Sequence, residues 1–111
     1  MPSYVPDRGD LIWLDFDPQT GHEQAGRRPA VVLSPKTYNH RVGLAIACPI
    51  TSQVKGYPFE VRIREHGVDG VVLADQVRSV DWKDRRARRI GGIAETTLEE
   101  VQLRLAPLLG L

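Results

Sequence analysis

The chain has 111 residues, of which 41% are hydrophobic and 26% are charged, and a formal net charge of +1. These values predict a single domain over residues 1–111 and exclude a membrane span, because no apolar run approaches the ~20 residues needed to cross a bilayer. The first residues contain no apolar export signal, and the single cysteine, Cys48, excludes an internal disulfide and a cysteine-rich metal site. We therefore expect a cytoplasmic protein that does not bind membranes, with Cys48 as a buried, unreactive thiol.

The first predicted element is a strand over Asp10–Phe16, in which Ile12, Leu14 and Phe16 form an apolar face. The polar segment that follows, as far as Pro29, has no strand pattern and is about a dozen residues long. Loops of that length in compact domains are often functional, so we expect this loop to contribute to a site.

Short apolar runs separated by glycine, proline and polar residues continue the chain. A turn is predicted at residues 38–41. The strands are rich in branched apolar residues and are predicted over residues 30–33, 42–48, 59–64, 71–74, 77–82 and 88–93.

The last predicted element is a helix. Thr96 stands three residues before Glu99, which resembles a capping box, and an apolar stripe follows at helical spacing. Pro107 should end or kink this helix near Ala106, because proline lacks the amide hydrogen. About five to seven short strands and one terminal helix predict a mainly β fold with a small, strongly bent antiparallel sheet or partly open barrel.

The charged residues favour an RNA partner weakly. Twelve of the fifteen basic residues are arginines, and four of them lie within residues 85–89; arginine binds phosphate bidentately and stacks on bases. The three histidines, His22, His40 and His66, lack the spacing of metal ligands, and neither a phosphate-binding nor a dinucleotide-binding glycine motif is present. We therefore predict neither a metal site nor a cofactor.

An acid, a guanidinium group and a hydroxyl group lie near the ends of two predicted strands, at Glu23, Arg28 and Thr51. RNA cleavage without a metal requires removal of the 2′-hydroxyl proton, stabilisation of charge on the phosphate oxygens and a proton for the departing 5′-oxygen. Arg28 can stabilise the charge, Thr51 can donate to an oxygen, and Glu23 can accept a proton or orient Arg28. A surface salt bridge and an ordinary turn hydroxyl explain the same residues, and spacing alone favours that simpler interpretation.

Longer collinear runs are more specific than this spacing. They are Tyr4-Val5-Pro6-Asp7, Gly9-Asp10-Leu11-Ile12-Trp13, Asp15-Phe16-Asp17-Pro18, Glu23-Gln24-Ala25-Gly26, Arg28-Pro29-Ala30-Val31-Val32-Leu33-Ser34-Pro35, Lys55-Gly56-Tyr57-Pro58-Phe59-Glu60-Val61 and Leu73-Ala74-Asp75-Gln76-Val77. Together they resemble the MazF branch of the MazF/PemK toxins, and the resemblance extends to about Trp82.

This resemblance implies an SH3-like barrel of the PemK/CcdB type with a C-terminal helix, working as a homodimer. It implies a sequence-specific, metal-independent endoribonuclease toxin that cleaves single-stranded RNA to 2′,3′-cyclic phosphate and 5′-hydroxyl ends and so inhibits translation. A cognate, MazE-like antitoxin neutralises such a toxin. The motif arginine falls on Arg28, the catalytic threonine on Thr51 and the loop glutamate on Glu23. RNA-binding side chains are expected at Trp13, Gln24, Arg27, Ser52, Lys55 and Gln76.

The chain departs from the family pattern at His22, at Arg27, at Ser52 and in the arginine-rich region after Asp81, which leaves the RNA recognition sequence open. The alternative function is a non-enzymatic SH3-like binding module, or a toxin on the same fold that poisons DNA gyrase by contact. In a small barrel with little interior, we also expect some of the larger apolar residues to pack across a two-fold interface; these are Ile12, Leu14, Val101, Leu105 and Leu108.

Overall fold

A computed structural model of the chain describes residues 4–16 and 26–111. Glu23, Gln24, His22 and most of the predicted loop lie outside these ranges. The described residues form antiparallel strands, a short helix and a C-terminal helix, with the bounds β1 Asp10–Phe16, β2 Gly26–Val32, α1 Lys36–Val42, β3 Ala45–Thr51, β4 Glu60–Glu65, β5 Val68–Leu73, β6 Arg78–Val80, β7 Arg88–Gly92 and α2 Glu95–Leu105. The mainly β fold with a C-terminal helix is thus confirmed.

The strands pair in the order β4-β5-β3-β2-β1-β7, and β6 adds to β3. The sheet bends at β3, because the first part of this strand pairs with β2 and β6 while its end pairs with β5. This bend produces the curled antiparallel sheet that the sequence predicted. It also places the start of β2 and the end of β3 at one rim of the sheet.

β1 supplies apolar side chains to both faces of the sheet. Leu11 packs in one buried cluster with Val101 of α2, while Ile12 and Leu14 pack in a second cluster with Trp82. The sequence predicted one apolar face for this strand. Both faces are covered because one packs against Val101 of α2 and the other against Trp82.

Burial also changes the interface that the sequence predicted. Ile12, Leu14 and Val101 are fully buried within the chain itself, so they are not available to a second subunit. Leu108 remains 49% exposed. None of the helices in the described residues has the length and apolarity that crossing a bilayer requires.

Helix α1 was missed by the sequence analysis, which placed a turn at residues 38–41 and began a strand at residue 42. The helix ends at Gly43, whose φ of 82° is left-handed, and β3 starts two residues later. Its one buried residue is Asn39, whose side-chain amide donates to the carbonyl oxygens of Pro6 and Ser34 at 2.8 and 3.0 Å. A helix held by one polar anchor has no apolar stripe from which it could be predicted.

Helix α2 ends at Leu105 and passes into a 3-10 turn over Ala106–Leu109, which confirms the predicted end before Pro107. The capping box was wrong. The N-cap is Ala94, and the carboxylate of Glu65 on β4 accepts hydrogen bonds from the Ala94 amide and the Thr97 hydroxyl, both at 2.8 Å. A residue distant in sequence therefore caps this helix, so local spacing could not identify it.

Other strand boundaries differ more modestly. β2 begins at Gly26 rather than residue 30, because Arg27 and Gly26 continue the pairing with Asp15 and Phe16 of β1. The predicted loop is shorter by the same residues. The alternation predicted for residues 59–64 is confirmed in β4, where Val61 and Ile63 are buried and Arg62 and Arg64 are exposed.

Candidate active site

β2 and β3 diverge where the predicted site residues lie. Their pairing joins Val32 to Ala47 and stops at Ala30 and Pro49. Continued by two residues, the same register would place Arg28 opposite Thr51. On the other edge of β3, Thr51 pairs with Val71 of β5. The hydrogen bond from the Leu33 amide to the Ile46 carbonyl oxygen makes Ala30–Pro49 a non-hydrogen-bonded pair of the ladder. The next donor toward β3 would be Pro29, which has no amide hydrogen, so the ladder weakens there and the strand ends separate.

Two grooves flank the separated strand ends. The larger, of about 370 Å³, is named the tryptophan groove and is lined by Trp13, Arg27, Arg28, Pro29, Ile50, Thr51, Ser52, Gln53, Gly67, Val68 and Asp69. The smaller, of about 180 Å³, is named the tyrosine groove and is lined by Arg28, Thr51, Gln53, Lys55, Tyr57, Glu60, Leu73 and Gln76.

Arg28, Thr51 and Gln53 line both grooves and so form their common wall. The structure therefore brings together the arginine and threonine that the sequence singled out on separate strands. Both side chains are half-buried. They are held by paired strands rather than by a loop, which suits a site that must keep a fixed geometry.

The hydroxyl oxygen of Thr51 accepts a hydrogen bond from the backbone amide of Gln53 at 3.1 Å. A hydroxyl group that accepts through its oxygen still carries its own proton. Thr51 is thus oriented as a donor at the end of β3. Ser52, also predicted to contact RNA, is exposed on the wall of the tryptophan groove.

Glu60 shapes the tyrosine groove by holding the loop before β4. Its carboxylate accepts the backbone amides of Lys55 at 2.9 Å and Gly56 at 2.8 Å. This loop brings Lys55 to the groove, and Gln76, from the turn after β5, lies on the same groove. Both residues were predicted to bind RNA, and both lie beside the wall formed by Arg28 and Thr51.

Tyr57 was missed by the sequence analysis. Its hydroxyl donates to Asp75 at 2.9 Å, and its ring makes an edge-on contact with Phe59. Burial, followed by the hydrogen bond to Asp75, raises the pKa of Tyr57, so the phenol is neutral at physiological pH. An aromatic residue before Pro58, in the loop that precedes a predicted strand, is the sequence feature that could have indicated it, since aromatic residues stack on bases.

The described carboxylates that line the two grooves are already engaged. The carboxylate of Glu60 accepts hydrogen bonds from two backbone amides. Asp69 pairs with Arg62 at 2.8 Å and with Arg64 at 3.7 Å. In the described part of the chain, neither groove therefore offers a carboxylate without a partner.

Arg27 is fixed at the edge of the tryptophan groove. One guanidinium nitrogen contacts the carboxylate of Asp15 at 2.6 Å, and the other donates to the carbonyl oxygen of Arg86 at 2.7 Å. The other oxygen of Asp15 pairs with the Arg86 side chain at 3.2 Å. Arg27 is thus a positioned cation on the groove wall.

The described histidines do not enter the site. His40 is exposed on α1, and the ring of His66 packs over Gly91, with Nε2 2.8 Å from the carbonyl oxygen of Gly92. Within residues 4–16 and 26–111, no group of three or more histidine, cysteine or acidic residues is arranged to hold a metal ion.

Comparison with known proteins gives the site a context. The model of the family described as PemK-like, MazF-like toxin of type II toxin-antitoxin system matches residues 7–109. The endoribonuclease toxin MazF of Escherichia coli (strain K12) is 52% identical over 107 residues, which cover 96% of each protein.

Solved structures agree with this match. MazF (Form-I) from Deinococcus radiodurans has a TM-score of 0.89 and 56% identity, covering 98% of this chain and 100% of that one. MazE-MazF (Form-III) from the same organism has a TM-score of 0.89 and 54% identity, covering 97% and 99% of the two chains.

Proposed function

The chain belongs to the PemK-like, MazF-like toxin family of type II toxin-antitoxin systems, and we propose that Arg28 and Thr51 carry its activity as an endoribonuclease. The activity follows from the family and from the 52% identity to E. coli MazF along nearly the whole chain. One observation supports the site: Arg28 and Thr51 line both grooves at the separated ends of β2 and β3. An RNA strand that runs from one groove to the other passes both side chains.

The proposed reaction is an intramolecular transesterification of single-stranded RNA. The 2′-oxygen attacks the adjacent phosphorus while the bond from phosphorus to the 5′-oxygen of the next nucleotide breaks. The products are a 2′,3′-cyclic phosphate and a 5′-hydroxyl end. A base takes the 2′-proton, and the departing 5′-oxygen receives a proton, so the reaction requires a base, an acid and a charge stabiliser.

Arg28 fits the stabilising role, because a guanidinium group stays protonated and binds two phosphate oxygens at once. Thr51 fits a second donor, since its oxygen is oriented by the Gln53 amide and its proton remains to donate. Preorganised donors of this kind stabilise charge that develops only in the transition state. Arg28 can also donate a hydrogen bond to the departing 5′-oxygen, which then takes its proton from water.

Glu23 is our proposal for the base, or for the group that orients Arg28. It lies outside the described residues, and the argument for it comes from the carboxylates that are described. The described carboxylates on the groove walls, Glu60 and Asp69, are already bound by backbone amides and arginines. A carboxylate supplied by the segment that precedes β2 is therefore the remaining acid in the family pattern.

We propose that RNA binds along both grooves. Trp13 offers a surface for base stacking, and Arg27 and Lys55 offer positive charge to the backbone. Ser52, Gln76 and, outside the described residues, Gln24 supply hydrogen-bonding groups for base edges. Tyr57 adds a second aromatic ring in the tyrosine groove.

We further propose that the protein works in the cytoplasm as a homodimer and is neutralised by a MazE-like antitoxin. The match to the D. radiodurans MazE-MazF structure supports an antitoxin partner. An acidic, extended antitoxin tail would complement the arginines around Trp13 and compete with RNA for them. Sedimentation at micromolar concentration tests the dimer.

The decisive experiment incubates purified protein with a long single-stranded RNA in EDTA and maps the ends that appear. We expect new 5′-hydroxyl ends at a short recurring sequence. Arg28→Ala should lower the cleavage rate by about 10²- to 10³-fold, the usual cost of losing one preorganised donor. Arg41→Ala is the matched control, because Arg41 is exposed on α1 and lines neither groove.

An Arg28→Ala protein that cleaves at the parent rate would refute the site. A different result is that the parent protein produces no new ends in either of two incubations, one with EDTA and one with Mg²⁺. That result would support a non-enzymatic binding module or a gyrase poison on the same fold. Cleavage only with Mg²⁺ would refute the metal-independent reaction.

A further inference from the structure

A third groove lies on the far side of Trp13. It has a volume of about 540 Å³, is lined by Trp13, Arg27, Arg88 and Arg89, and is named the arginine groove. Trp13 and Arg27 also line the tryptophan groove. The two grooves are therefore continuous across these two side chains.

The strand register explains this continuity. Trp13 of β1 pairs with Pro29 of β2 on one side and with Arg88 of β7 on the other. Directly opposed residues in antiparallel strands share a face of the sheet, so the three side chains form a row. β7 is the last strand in the pairing order, so the row leads from the site out to the edge of the sheet.

Carboxylates offset part of the charge of the arginine groove. Arg27 is bound to Asp15, and Arg89 pairs with the mostly buried Asp10 at 3.2 Å. Arg88 is exposed and forms no ion pair with any residue in the two described ranges. The groove thus combines two guanidinium groups that are anchored by carboxylates, one that has no ion pair in the described ranges, and an indole ring.

We infer that the arginine groove is a second RNA subsite, which binds the phosphodiester backbone of nucleotides outside the cleaved bond. The inference rests on the proposed function, because it extends the path of the same substrate. An aromatic ring between guanidinium groups is the arrangement that binds single strands with little regard to sequence. An acidic antitoxin tail that competes for these arginines uses their charge, whereas single-stranded RNA uses their charge and also stacks its bases on Trp13.

The test compares two RNAs after the cleavage sequence has been mapped with the parent protein. A short RNA spans only the cleaved bond and its immediate neighbours, and a long RNA extends it in both directions. Each carries a 2′-deoxy sugar at the cleaved position, which removes the attacking hydroxyl, so that binding is measured by fluorescence anisotropy without cleavage. The variants are Arg88→Gln and, as a charge-matched control, Arg41→Gln.

We expect Arg88→Gln to weaken binding of the long RNA by about twofold to fivefold at low salt, the range for one exposed charge pair. The slope of log K against log salt should fall by about 0.7, the value for one lost phosphate contact on a single strand. Binding of the short RNA should be unchanged, and so should the rate at which its all-ribose form is cleaved. Arg88→Lys should recover most of the loss, and Arg41→Gln should resemble the parent.

Equal effects of Arg88→Gln on both RNAs, or no effect on either, would overturn the subsite. Weaker binding of an acidic antitoxin peptide with unchanged RNA binding would assign the groove to the antitoxin and overturn it too. Cleavage by the parent protein tests the proposed function separately. Failure of the subsite inference can therefore be distinguished from failure of the proposed function.

Discussion

The Thr51 hydroxyl and the Gln53 amide form a hydrogen bond of 3.1 Å that closes the turn after β3. This contact fixes the hydroxyl on the common wall of the two grooves beside Arg28. Thr51→Ala removes both the turn acceptor and the proposed donor to phosphate. Thr51→Ser keeps both and loses only a methyl group, so the pair of variants separates the hydroxyl from the rest of the side chain.

We expect Thr51→Ala to lower the single-turnover cleavage rate by up to about 10²- to 10³-fold, no more than the loss of Arg28. Thr51→Ser should retain most of the rate, with a modest loss because an unbranched side chain is less restricted in χ1. Circular dichroism melting curves control for folding. Equal cleavage rates for the two variants would show that the hydroxyl does not act on the phosphate.

Asp15 joins the guanidinium groups of Arg27 and Arg86. Because about a third of the Asp15 and Arg27 side chains is exposed, solvent screens this pair and its coupling should be small. A double-mutant cycle with Asp15→Asn and Arg27→Gln should give a coupling free energy of about 0.2–1 kcal/mol in urea unfolding, decreasing in high salt. A coupling well above this range, or one that salt leaves unchanged, would contradict a screened surface pair.

Strands with a clear alternation could be predicted from sequence, whereas elements held by distant residues could not. The buried and exposed residues of β4 alternate as their hydrophobicity does, and period-two patterns are local information. α1 depends on hydrogen bonds from Asn39 to Pro6 and Ser34, and the cap of α2 comes from Glu65. Those contacts exist only after the chain has folded.

The candidate site also contains residues that could be predicted from the sequence and residues that could not. Arg28 and Thr51 were identified from the resemblance to a family, and they lie on adjacent strands whose separated ends form the two grooves that both residues line. The loop that supplies Tyr57 depends on the two amide hydrogen bonds to Glu60. Because that loop has no periodic pattern, its side chains could be assigned to a groove only from the structure.

The start of α2 provides a matched pair of neighbouring threonines. Thr96 is exposed and was predicted as the cap, whereas Thr97 is half-buried and donates to Glu65. Thr97→Ala should lower the free energy of unfolding by about 1 kcal/mol, the usual value for a helix-capping hydrogen bond. Thr96→Ala should change it by less than about 0.5 kcal/mol. Equal losses of unfolding free energy for the two variants, measured in urea, would instead support the local capping box at Thr96.

Cys48 lies at the centre of β3 with no exposed surface, and its sulfur is 3.9 Å from the carbonyl oxygen of Ala74. The predicted burial of this residue is confirmed. Burial, with a smaller contribution from the charge of Asp75, raises the pKa of the Cys48 thiol to about 12. The folded protein therefore holds the protonated thiol far above the pH at which an exposed cysteine ionises.

This difference in pKa predicts how stability depends on pH. The unfolded thiol ionises near its usual pKa of about 8.5, so the stabilisation from the buried neutral thiol is complete below that pH. It should decline as pH rises toward 12, by at most about 1.4 kcal/mol per pH unit, because only the unfolded state releases the proton. Cys48→Ala has no thiol, but it keeps the tyrosines that also titrate at high pH, so their contribution cancels when parent and variant are compared. The difference in unfolding free energy between the two proteins should therefore be constant below pH 8 and shift in favour of the variant above pH 9. A constant difference up to pH 11 would show that the thiol is not held neutral.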